Sequence, residues 1–412
     1  DKKFPEGFLW GAATASHQVE GGMHNNWSEW EKKNAERLAG KAGKEWSKWQ
    51  QEKFPEMFSS ENYISGRACD HYNLFEKDFD LAKAGGHTAH RFSIEWSRIE
   101  PEEGKFDEKE IEHYRKVLLA LRERGIEPFV TLWHWTHPVW LENIGGCENK
   151  KFPEYFARYA ERMANDMGDL VNFWITLNEP DVVASHSYMK GVWPPQKKNF
   201  FVYISVMNRL AKTHRAAYEV IKQKNSKAQV GIAKHQVAFQ VLRPTIINNI
   251  LKNVGHYFWN EWFLNKIKDC QDFIGLNHYN RNVVDNGFYK NPNERMTDFG
   301  WEFYPESIHQ VLVELRPYDR PVYITENGLA DADDSDREEF IKRSLGAIQQ
   351  AIVDGIDVRG YLYWSFLDNF EWDKGFWLRF GLIEIDYKTL ERKPRRSFYA
   401  YKEIIENNGI RE

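Results

Sequence analysis

The sequence predicts an α/β fold in which eight parallel strands close into one (β/α)8 TIM barrel. Eight short runs rich in β-branched and aromatic residues recur along the 412 residues, and amphipathic, charge-rich stretches separate them. Runs such as Val322-Tyr323-Ile324 are almost continuously apolar, which is typical of strands buried on both faces. The phosphate-binding fingerprints of a doubly wound sheet, GxGxxG and GxxxxGK[ST], are both absent, which favours the barrel.

The predicted strands and helices alternate along the whole chain. The strand runs are residues 8–14, 87–94, 127–133, 172–179, 229–235, 273–279, 321–327 and 358–366. The clearest amphipathic stretches between them are residues 108–124, 152–167, 200–224 and 335–355. Each of these would supply a helix that crosses from one parallel strand to the next. No linker interrupts the alternation, so we expect a single domain spanning residues 1–412.

The chain is longer than a barrel requires. About 250 residues suffice for eight βα units, so the remainder must lie in long insertions in the βα loops. The largest insertion is residues 23–72, and its helical stretch 29–53 carries Trp30, Trp46 and Trp49. We interpret this stretch as a cover over the barrel mouth, as a wall of a substrate funnel, or as both.

The composition excludes several classes of protein. With 42% hydrophobic residues the chain can bury a large core, which excludes a disordered protein. The 56 basic residues against 61 acidic ones give a formal net charge of −5, so there is no electrostatic basis for a nucleic-acid partner. No apolar run reaches the roughly 18 residues of a membrane helix, and we expect no membrane partner.

The cysteines and the first residues indicate a cytoplasmic protein. Cys69, Cys147 and Cys270 are the three cysteines, an odd and widely spaced set that does not predict a disulfide framework. Residues 1–5 lack the apolar stretch of a secretory signal. The 17 tryptophans are many for this length. Their flat rings with one N–H donor suit stacking on sugars, although filling a large core would also explain them.

Two glutamates directly follow apolar strands. Glu179 ends the fourth run, WITLNEP, and Glu326 ends the seventh, YITENG. Strands of such a barrel end at the rim that carries the active site, so both carboxyls are predicted at one rim. A single glutamate there is more often a cap or a surface charge, but two on opposite strands indicate a pair. Glycosidic-bond hydrolysis uses such a pair, one carboxyl protonated and one ionised; an aspartic-type dyad sharing one proton is the alternative.

Other polar residues close the neighbouring strands. Gln18 and Glu20 follow the first run, and an amide side chain both donates to and accepts from vicinal hydroxyls. Arg91, in the second run, needs an anionic partner if it is buried, and a catalytic carboxylate would satisfy it. His134 and His137 follow the third run and would also suit a metal-dependent hydrolase. A third metal ligand is not evident in the sequence, and we predict no metal site.

Four motifs follow one another along the chain: FLWGAATAS at 8–16, NEP at 178–180, TENG at 325–328 and WSFLDNFEW at 364–372. Together, and in this order, they resemble glycoside hydrolase family one, the β-glucosidase and β-galactosidase family, nearly from end to end. The resemblance implies a retaining mechanism, with Glu326 as nucleophile and Glu179 as acid and base. It also implies that Arg91 and Tyr279 hold the nucleophile ionised and oriented.

The resemblance further implies a sugar site and a small β-glycoside as the substrate, with no cofactor. Asn178 matches the ligand of the sugar 2-hydroxyl, and Trp364 matches the platform on which the sugar stacks. Phe380 matches the pocket wall, and Asn277 is expected to support the site. The residues that match ligands of the remaining hydroxyls are Gln18, His134, Trp135, Glu371 and Trp372.

Glu371 and Glu179 indicate which substrates and which reaction of the family are expected. Family members that act on 6-phosphorylated sugars replace the glutamate at position 371, and the charge of Glu371 would repel a phosphate. We therefore expect neutral β-D-glucosides and galactosides as substrates. The plant thioglucosidases of the family lack the acid and base glutamate, which is Glu179 in this sequence. Catalytically silent sugar-binding modules usually lack one of the two carboxylates. Both carboxylates are present, which favours O-glycoside hydrolysis.

The chain also departs from the family pattern. The stretch between Glu179 and Glu326 is shorter by some tens of residues, which predicts a shortened connection between strands five and six. Residues 246–268 of that connection either pack as core or leave a mobile flank with an apolar cavity. The aromatic residues concerned are Tyr257, Phe258, Trp259, Trp262 and Phe263.

Three single positions carry further expectations. His278 stands where an aromatic is expected, and we interpret it as a packing substitution. Asp181 follows the NEP motif where many members carry an aromatic or Asn, which leaves the leaving-group subsite open. Trp301 is a candidate to line that subsite.

Overall fold

The computed structural model describes residues 2–411. Its centre is a closed barrel of eight parallel strands, each paired with the next strand of the barrel and the last paired with the first. The strands are β1 Leu9–Ala13, β2 Ala89–Ser93, β3 Glu127–Trp133, β4 Phe173–Asn178, β5 Gln229–His235, β6 Phe273–Asn277, β7 Val322–Glu326 and β8 Val358–Trp364. The predicted (β/α)8 barrel is confirmed, and every strand lies within its predicted run.

Helices outside the barrel connect successive strands. They are α1 His71–Ala84, α2 Glu108–Glu123, α3 Phe152–Met167, α4 Phe200–Lys224, α5 Ile246–His256, α6 Trp262–Ile267, α7 Ser307–Glu314, α8 Arg337–Val353 and α9 Arg396–Glu406. α3 and α4 have the predicted bounds, and α2 and α8 are shorter than predicted by one to four residues. The helical pattern is readable because apolar residues recur on one face, as Phe156, Tyr159 and Met163 do in α3.

Shorter elements fill the loops. The additional helical segments are Ser16–Val19, Asn26–Glu45, Lys48–Lys53, Pro55–Phe58, Ser60–Tyr63, Trp96–Ile99, Val139–Asn143, Gly146–Glu148, Pro180–Ala184, Ser185–Met189, Tyr257–Glu261, Arg316–Tyr318 and Trp372–Lys374. Three two-stranded sheets lie outside the barrel: Lys2–Lys3 with Gly409–Ile410, Ala238–Val241 with Arg281–Val284, and Ile383–Ile385 with Arg392–Pro394. None of the helices within residues 2–411 is both long and apolar enough to cross a membrane.

The barrel interior is apolar at one end and polar at the other. Near the amino ends of their strands, Phe129, Phe173, Phe273 and Tyr323 form a cluster in which Phe129 stacks on Phe173 at 4.3 Å between ring centroids. The four rings close that end of the barrel and exclude water from it. The interior polar side chains, among them Glu326, lie toward the carboxyl ends of the strands, so any reacting group must enter from that side.

The first strand and the large insertion differ from prediction. β1 ends at Ala13, so Gln18 and Glu20 do not close it; Gln18 lies in the short helix Ser16–Val19 and Glu20 just after that helix. The predicted helical stretch 29–53 is two helices, Asn26–Glu45 and Lys48–Lys53. The break arises because Ser47 forms a capping box with Gln50 and starts a new helix.

The connection between β5 and β6 is a continuous helical segment. α5 passes through the π-helical turn Tyr257–Glu261 into α6. Its aromatic residues share no cavity: Phe263 is buried in the core, while Tyr257 and Phe258 are 44% and 53% exposed. The expectation of an apolar cavity lined by these residues is therefore wrong, because the helix turns their side chains in different directions. Core packing is confirmed for Phe263, which is fully buried, and for Trp259 and Trp262, which are partly buried and pack against the core.

Candidate active site

A cavity of about 500 Å³ opens at the carboxyl ends of the barrel strands. The predicted site residues that line it are Gln18, His134, Trp135, Glu179, Tyr279, Glu326, Trp364, Glu371, Trp372 and Phe380. Arg91, Asn178 and Asn277 lie behind its wall and are completely buried. The structure therefore brings all the predicted residues to one place, with three of them supporting the lining from behind.

The Glu326 carboxylate is held by two donors. The Arg91 guanidinium donates from Nη1 to Glu326 Oε1 at 2.6 Å, and the Tyr279 hydroxyl donates to Oε2 at 2.5 Å. Arg91 is fixed in turn, because its Nε donates to the Thr131 hydroxyl at 3.0 Å and its Nη2 to Asn178 Oδ1 at 2.6 Å. Both oxygens of Glu326 thus meet a donor, one of them cationic, which stabilises the ionised form.

Glu179 has a different environment. Its Oε1 accepts a hydrogen bond from Asn277 Nδ2 at 2.8 Å, and the same amide nitrogen lies 3.1 Å from Asn178 Oδ1. Glu179 adopts a left-handed backbone conformation with φ of 43°, which is costly for a residue other than glycine. Its N–H donates to the carbonyl of Ala233 at 2.8 Å, and Pro180 begins a helix directly after it. These contacts hold the carboxyl over the cavity.

The two carboxyls differ in proton affinity. Burial and then the charge of Glu326 raise the pKa of Glu179 well above its usual value. Burial also raises the pKa of Glu326, but Arg91 and Tyr279 oppose this rise. These surroundings favour the ionised form at Glu326 and the protonated form at Glu179.

Glu371 is a further buried carboxyl in this cavity, and its surroundings favour the protonated form. Burial, followed by the charge of Glu326, raises the pKa of Glu371 to about 8. A raised pKa weakens the charge on which the expected repulsion of a phosphate depends, and that expectation stays a prediction. Its Oε2 lies 3.5 Å from Gln18 Nε2, and that nitrogen also donates to the carbonyl of Phe370 at 2.8 Å. Gln18 and Glu371 thus form one polar corner of the cavity.

Aromatic rings form the rest of the inner wall. The His134 ring is nearly parallel to Trp364, at 5.9 Å between centroids and 19° between planes. Trp135 packs against Trp372 at 4.7 Å. Trp301 lies 6.3 Å from Phe380 and lines the cavity as expected. This arrangement of rings with a few polar groups suits a sugar, which presents apolar C–H faces and hydroxyls.

Sequence reasoning missed the outer half of the cavity. Its lining comes from the loops that follow β4, β5 and β6, and includes His186, Lys190, Trp193, Trp259, Tyr289 and Met296. These residues carry no motif, and only the position of their loops after barrel strands could have indicated them. Trp30, Trp46 and Trp49 do not line the cavity; Trp46 packs behind it, against the lining residue Phe299 at 5.9 Å.

Three other residues singled out in the sequence lie outside the cavity. Glu20 accepts from the Tyr114 hydroxyl at 2.9 Å and from Arg98, so it is a structural group and not a sugar ligand. His278 is buried between the Gln236 carbonyl and the Ser307 hydroxyl, which confirms a packing role. Asp181 lies outside the cavity.

His134 and His137 face different partners. His137 Nε2 lies 2.6 Å from Glu142 Oε2, whereas His134 Nε2 lies 3.1 Å from Asn178 Nδ2. Within the described residues, 2–411, no three His, Cys, Asp or Glu side chains are grouped to hold a metal ion. Cys69, Cys147 and Cys270 are free and buried.

A family model described as glycosyl hydrolase family 1 matches residues 1–267 and 248–410. The chain belongs to glycosyl hydrolase family 1. It is therefore an O-glycosyl hydrolase, and, as is general in this family, a retaining β-glycosidase. The two matched segments overlap at residues 248–267, in the connection between β5 and β6 that the sequence predicts to be shortened.

Known proteins of the family are similar over their full length. Beta-glucosidase A of Thermotoga maritima is 33% identical, with 100% of this chain and 99% of the relative covered. The structure of a β-glycosidase from Pyrococcus horikoshii has a TM-score of 0.89 at 37% identity, covering 100% of this chain and 96% of the other. The Thermotoga maritima β-glucosidase in complex with glucoimidazole has a TM-score of 0.87 at 31% identity, covering 100% of both chains.

The contact between Arg91 and Glu326 gives a testable pH dependence. Replacing Arg91 with methionine is expected to move the acid limb of kcat/KM to higher pH by about one to three units, since the ionised Glu326 loses its cation. We also expect kcat/KM at its optimum to fall by about 10³-fold. The measurement is the pH profile of kcat/KM for a p-nitrophenyl β-glucoside.

The conservative variant separates charge from geometry. Arg91→Lys keeps a cation but loses the guanidinium bonds to Asn178 and Thr131, so its acid limb should move less than that of Arg91→Met. An acid limb that stays in place in both variants would contradict the contact's proposed electrostatic effect.

Proposed function

We propose that this family 1 enzyme hydrolyses terminal β-D-glucosyl and β-D-galactosyl residues of neutral glycosides, with Glu326 as nucleophile and Glu179 as acid and base. The unequal surroundings of the two carboxyls carry this assignment. Glu326 meets the Arg91 guanidinium and the Tyr279 hydroxyl, whereas Glu179 accepts from the neutral amide of Asn277. A nucleophile must be ionised and an acid must be protonated, and the two environments favour these two states.

The first step forms a covalent intermediate. The Glu326 carboxylate attacks the anomeric carbon while the bond to the leaving oxygen breaks, and Glu179 gives its proton to that oxygen. Glu326 is then an ester and has no charge. Because that charge helps to keep Glu179 protonated, its loss lowers the pKa of Glu179, which releases the carboxylate needed for the next step.

The second step consumes water. The Glu179 carboxylate takes a proton from a water molecule as its oxygen attacks the anomeric carbon, and the bond to Glu326 breaks. Each step inverts the anomeric centre, so the product keeps the β configuration. After release of the sugar, Glu326 is ionised and Glu179 protonated, as at the start.

Polar atoms without partners support sugar binding at the inner end of the cavity. Gln18 Oε1 and His134 Nδ1 have no hydrogen-bond partner within residues 2–411, and both residues line the cavity. A buried polar atom left unpaired is costly, and a sugar hydroxyl would satisfy each of them. Glu371, whose pKa burial raises to about 8, can in its protonated form both donate to and accept from a hydroxyl.

Asn178, expected to bind the sugar 2-hydroxyl, lies behind the cavity wall, and most of its hydrogen-bonding capacity is already used. Its Oδ1 already accepts from Arg91 and Asn277, and its Nδ2 lies beside His134. The Asn178 side chain therefore has one N–H left that could donate to a substrate hydroxyl. We propose that it orients Arg91 and Asn277, and through them both carboxyls, in addition to any contact with substrate.

The charge balance at Lys374 supports a preference for a neutral sugar. The ammonium of Lys374, which lines the cavity, lies 2.8 Å from Asp373 and 3.7 Å from Glu45, so its charge is already balanced. Relatives named beta-glucosidase and, at 28% identity in Pyrococcus woesei, beta-galactosidase both cover nearly all of this chain. We propose both sugars as substrates.

A panel of p-nitrophenyl glycosides tests the proposal. The β-glucoside, β-galactoside, β-fucoside, β-mannoside, α-glucoside and 6-phospho-β-glucoside are compared at equal enzyme concentration. We expect turnover of the neutral β-glucoside and β-galactoside, and kcat/KM at least about 10²-fold lower for the α-glucoside and the 6-phospho sugar. Preferential hydrolysis of the 6-phospho sugar, or no turnover of any β-glycoside by folded protein, would contradict it.

Two expectations from the sequence stay predictions. A cytoplasmic location is supported by the three free, buried cysteines, since such thiols persist in a reducing compartment. A single domain spanning residues 1–412 is supported by the closed barrel, whose last strand pairs with its first.

A further inference from the structure

A buried ion pair beside Glu179 takes no part in the proposed steps. Lys234, in β5, and Asp181, in the helix Pro180–Ala184, are each at most 1% exposed. Lys234 Nζ lies 3.0 Å from Asp181 Oδ2. Removing two charges from water is costly, and apolar residues of similar size are often equally stable in such places. The pair therefore needs a reason other than stability.

Both residues of the pair are close to Glu179 along the backbone. Asp181 is two residues further along the chain, in the first turn of the helix that follows Glu179. On the other side, the N–H of Glu179 donates at 2.8 Å to the carbonyl of Ala233, the residue before Lys234. The pair thus flanks Glu179, with Asp181 in the helix that follows it and Lys234 in the neighbouring strand β5. Because both side chains are buried, water screens their charges little.

The two partners are unequally satisfied by the protein. Lys234 Nζ also donates to the carbonyls of His235 at 2.6 Å and Trp259 at 2.7 Å, so three acceptors surround the ammonium. Asp181 Oδ1, by contrast, has no hydrogen-bond partner within the described residues. Lys234 would therefore keep favourable contacts if the carboxylate were removed, and its charge would then be uncompensated.

We propose that Lys234 and Asp181 are a positioning pair that balances the electric field at the carboxyl of Glu179. The inference rests on the proposed role of Glu179 as acid and base. Alone, the Lys234 cation would favour ionised Glu179, and alone the Asp181 anion would favour its protonated form. Together the two charges nearly cancel, so Glu179 keeps a proton in the first step and can release it in the second.

The other charged groups around Glu179 come from different strands. The charges of Glu326, in β7, and Arg91, in β2, also act on Glu179. Tyr279, after β6, stays neutral because burial raises its pKa well above the usual value. Burial lowers the pKa of His186 to about 4, so this cavity residue is neutral near pH 7. None of these groups neutralises Lys234, whose partner is Asp181.

The test is the alkaline limb of the pH profile of kcat/KM, which reports the acid in the free enzyme. In Asp181→Asn the Lys234 charge is uncompensated, and we expect this limb to move to lower pH by about one unit, with about a tenfold loss of kcat/KM above it. In the double variant Asp181→Asn/Lys234→Met both charges are gone, and the limb should return to its wild-type position. The acid limb should stay in place in both.

Two controls separate the possible failures. In Glu179→Gln the alkaline limb should disappear; a limb that persists there would refute the proposed role of Glu179. A limb that disappears in Glu179→Gln but does not move in Asp181→Asn would refute the positioning role alone. If the alkaline limb lies at the same pH in the single and the double variant, and both have lower melting temperatures, the pair is purely structural. That result would also refute the positioning role. If Asp181→Asn does not fold, Lys234→Met is compared with wild type, and its limb should move to higher pH.

Discussion

Replacing Glu326 with alanine is expected to lower kcat for p-nitrophenyl β-glucoside by about 10⁵-fold or more, because no group remains that can form the covalent intermediate. Arg91 and Tyr279 then face a space without a carboxylate. The matched control is Glu384→Ala, which removes an exposed glutamate from the strand Ile383–Ile385 and should leave kcat unchanged. Initial rates at saturating substrate give the comparison.

Azide distinguishes a lost nucleophile from a damaged protein. This small anion can enter the space left by the Glu326 carboxyl and attack the anomeric carbon from that face. We expect azide to restore turnover in Glu326→Ala and to give a glycosyl azide of inverted configuration. Full activity of Glu326→Ala, or a restored product of retained configuration, would contradict the assignment of Glu326.

Replacing Glu179 with alanine is expected to affect substrates according to their leaving groups. A 2,4-dinitrophenyl glucoside needs little protonation, so its first step should be almost unchanged, whereas an alkyl glucoside should react about 10³-fold more slowly. The second step should be slow for all substrates, since no base activates water, and an initial burst of dinitrophenol should precede slow turnover. Stopped-flow absorbance measures both phases.

Azide again gives the decisive product. In Glu179→Ala it should attack the glycosyl ester on Glu326 without needing a base, and the product should be a glycosyl azide of retained configuration. Equal losses for good and poor leaving groups would contradict the assignment of Glu179 as the acid. An inverted azide from this variant would contradict the order of the two roles.

The barrel and the reacting pair could be predicted because their signals are local. A strand buried on both faces is apolar throughout, and the residue that ends it lies at the rim, so β4 and β7 place Glu179 and Glu326 without knowledge of other contacts. The buried Arg91 likewise needs an anion, and its contact with Glu326 agrees with that requirement. The order of the strands along the chain thus places both glutamates at the same rim of the barrel.

The features that were missed depend on groups distant in the sequence. The charge state of Glu371 follows from burial and from Glu326, which the chain alone does not bring together. The path of the loop after β6, which places Tyr289 and Met296 at the cavity, has no periodic pattern to predict it. Glu20 was grouped with the polar residues that close the strands, and its actual partners, Arg98 and Tyr114, could not be predicted because they are more than 70 residues away in the sequence.

Trapping the covalent intermediate tests the central claim most directly. A 2-deoxy-2-fluoroglucoside with a dinitrophenyl leaving group reacts in the first step but hydrolyses slowly, because fluorine destabilises both transition states and the leaving group speeds only the first. Mass spectrometry of the digested protein should find one fluoroglucosyl group, on the peptide that contains Glu326. A label on Glu179 or on any other residue would contradict the account.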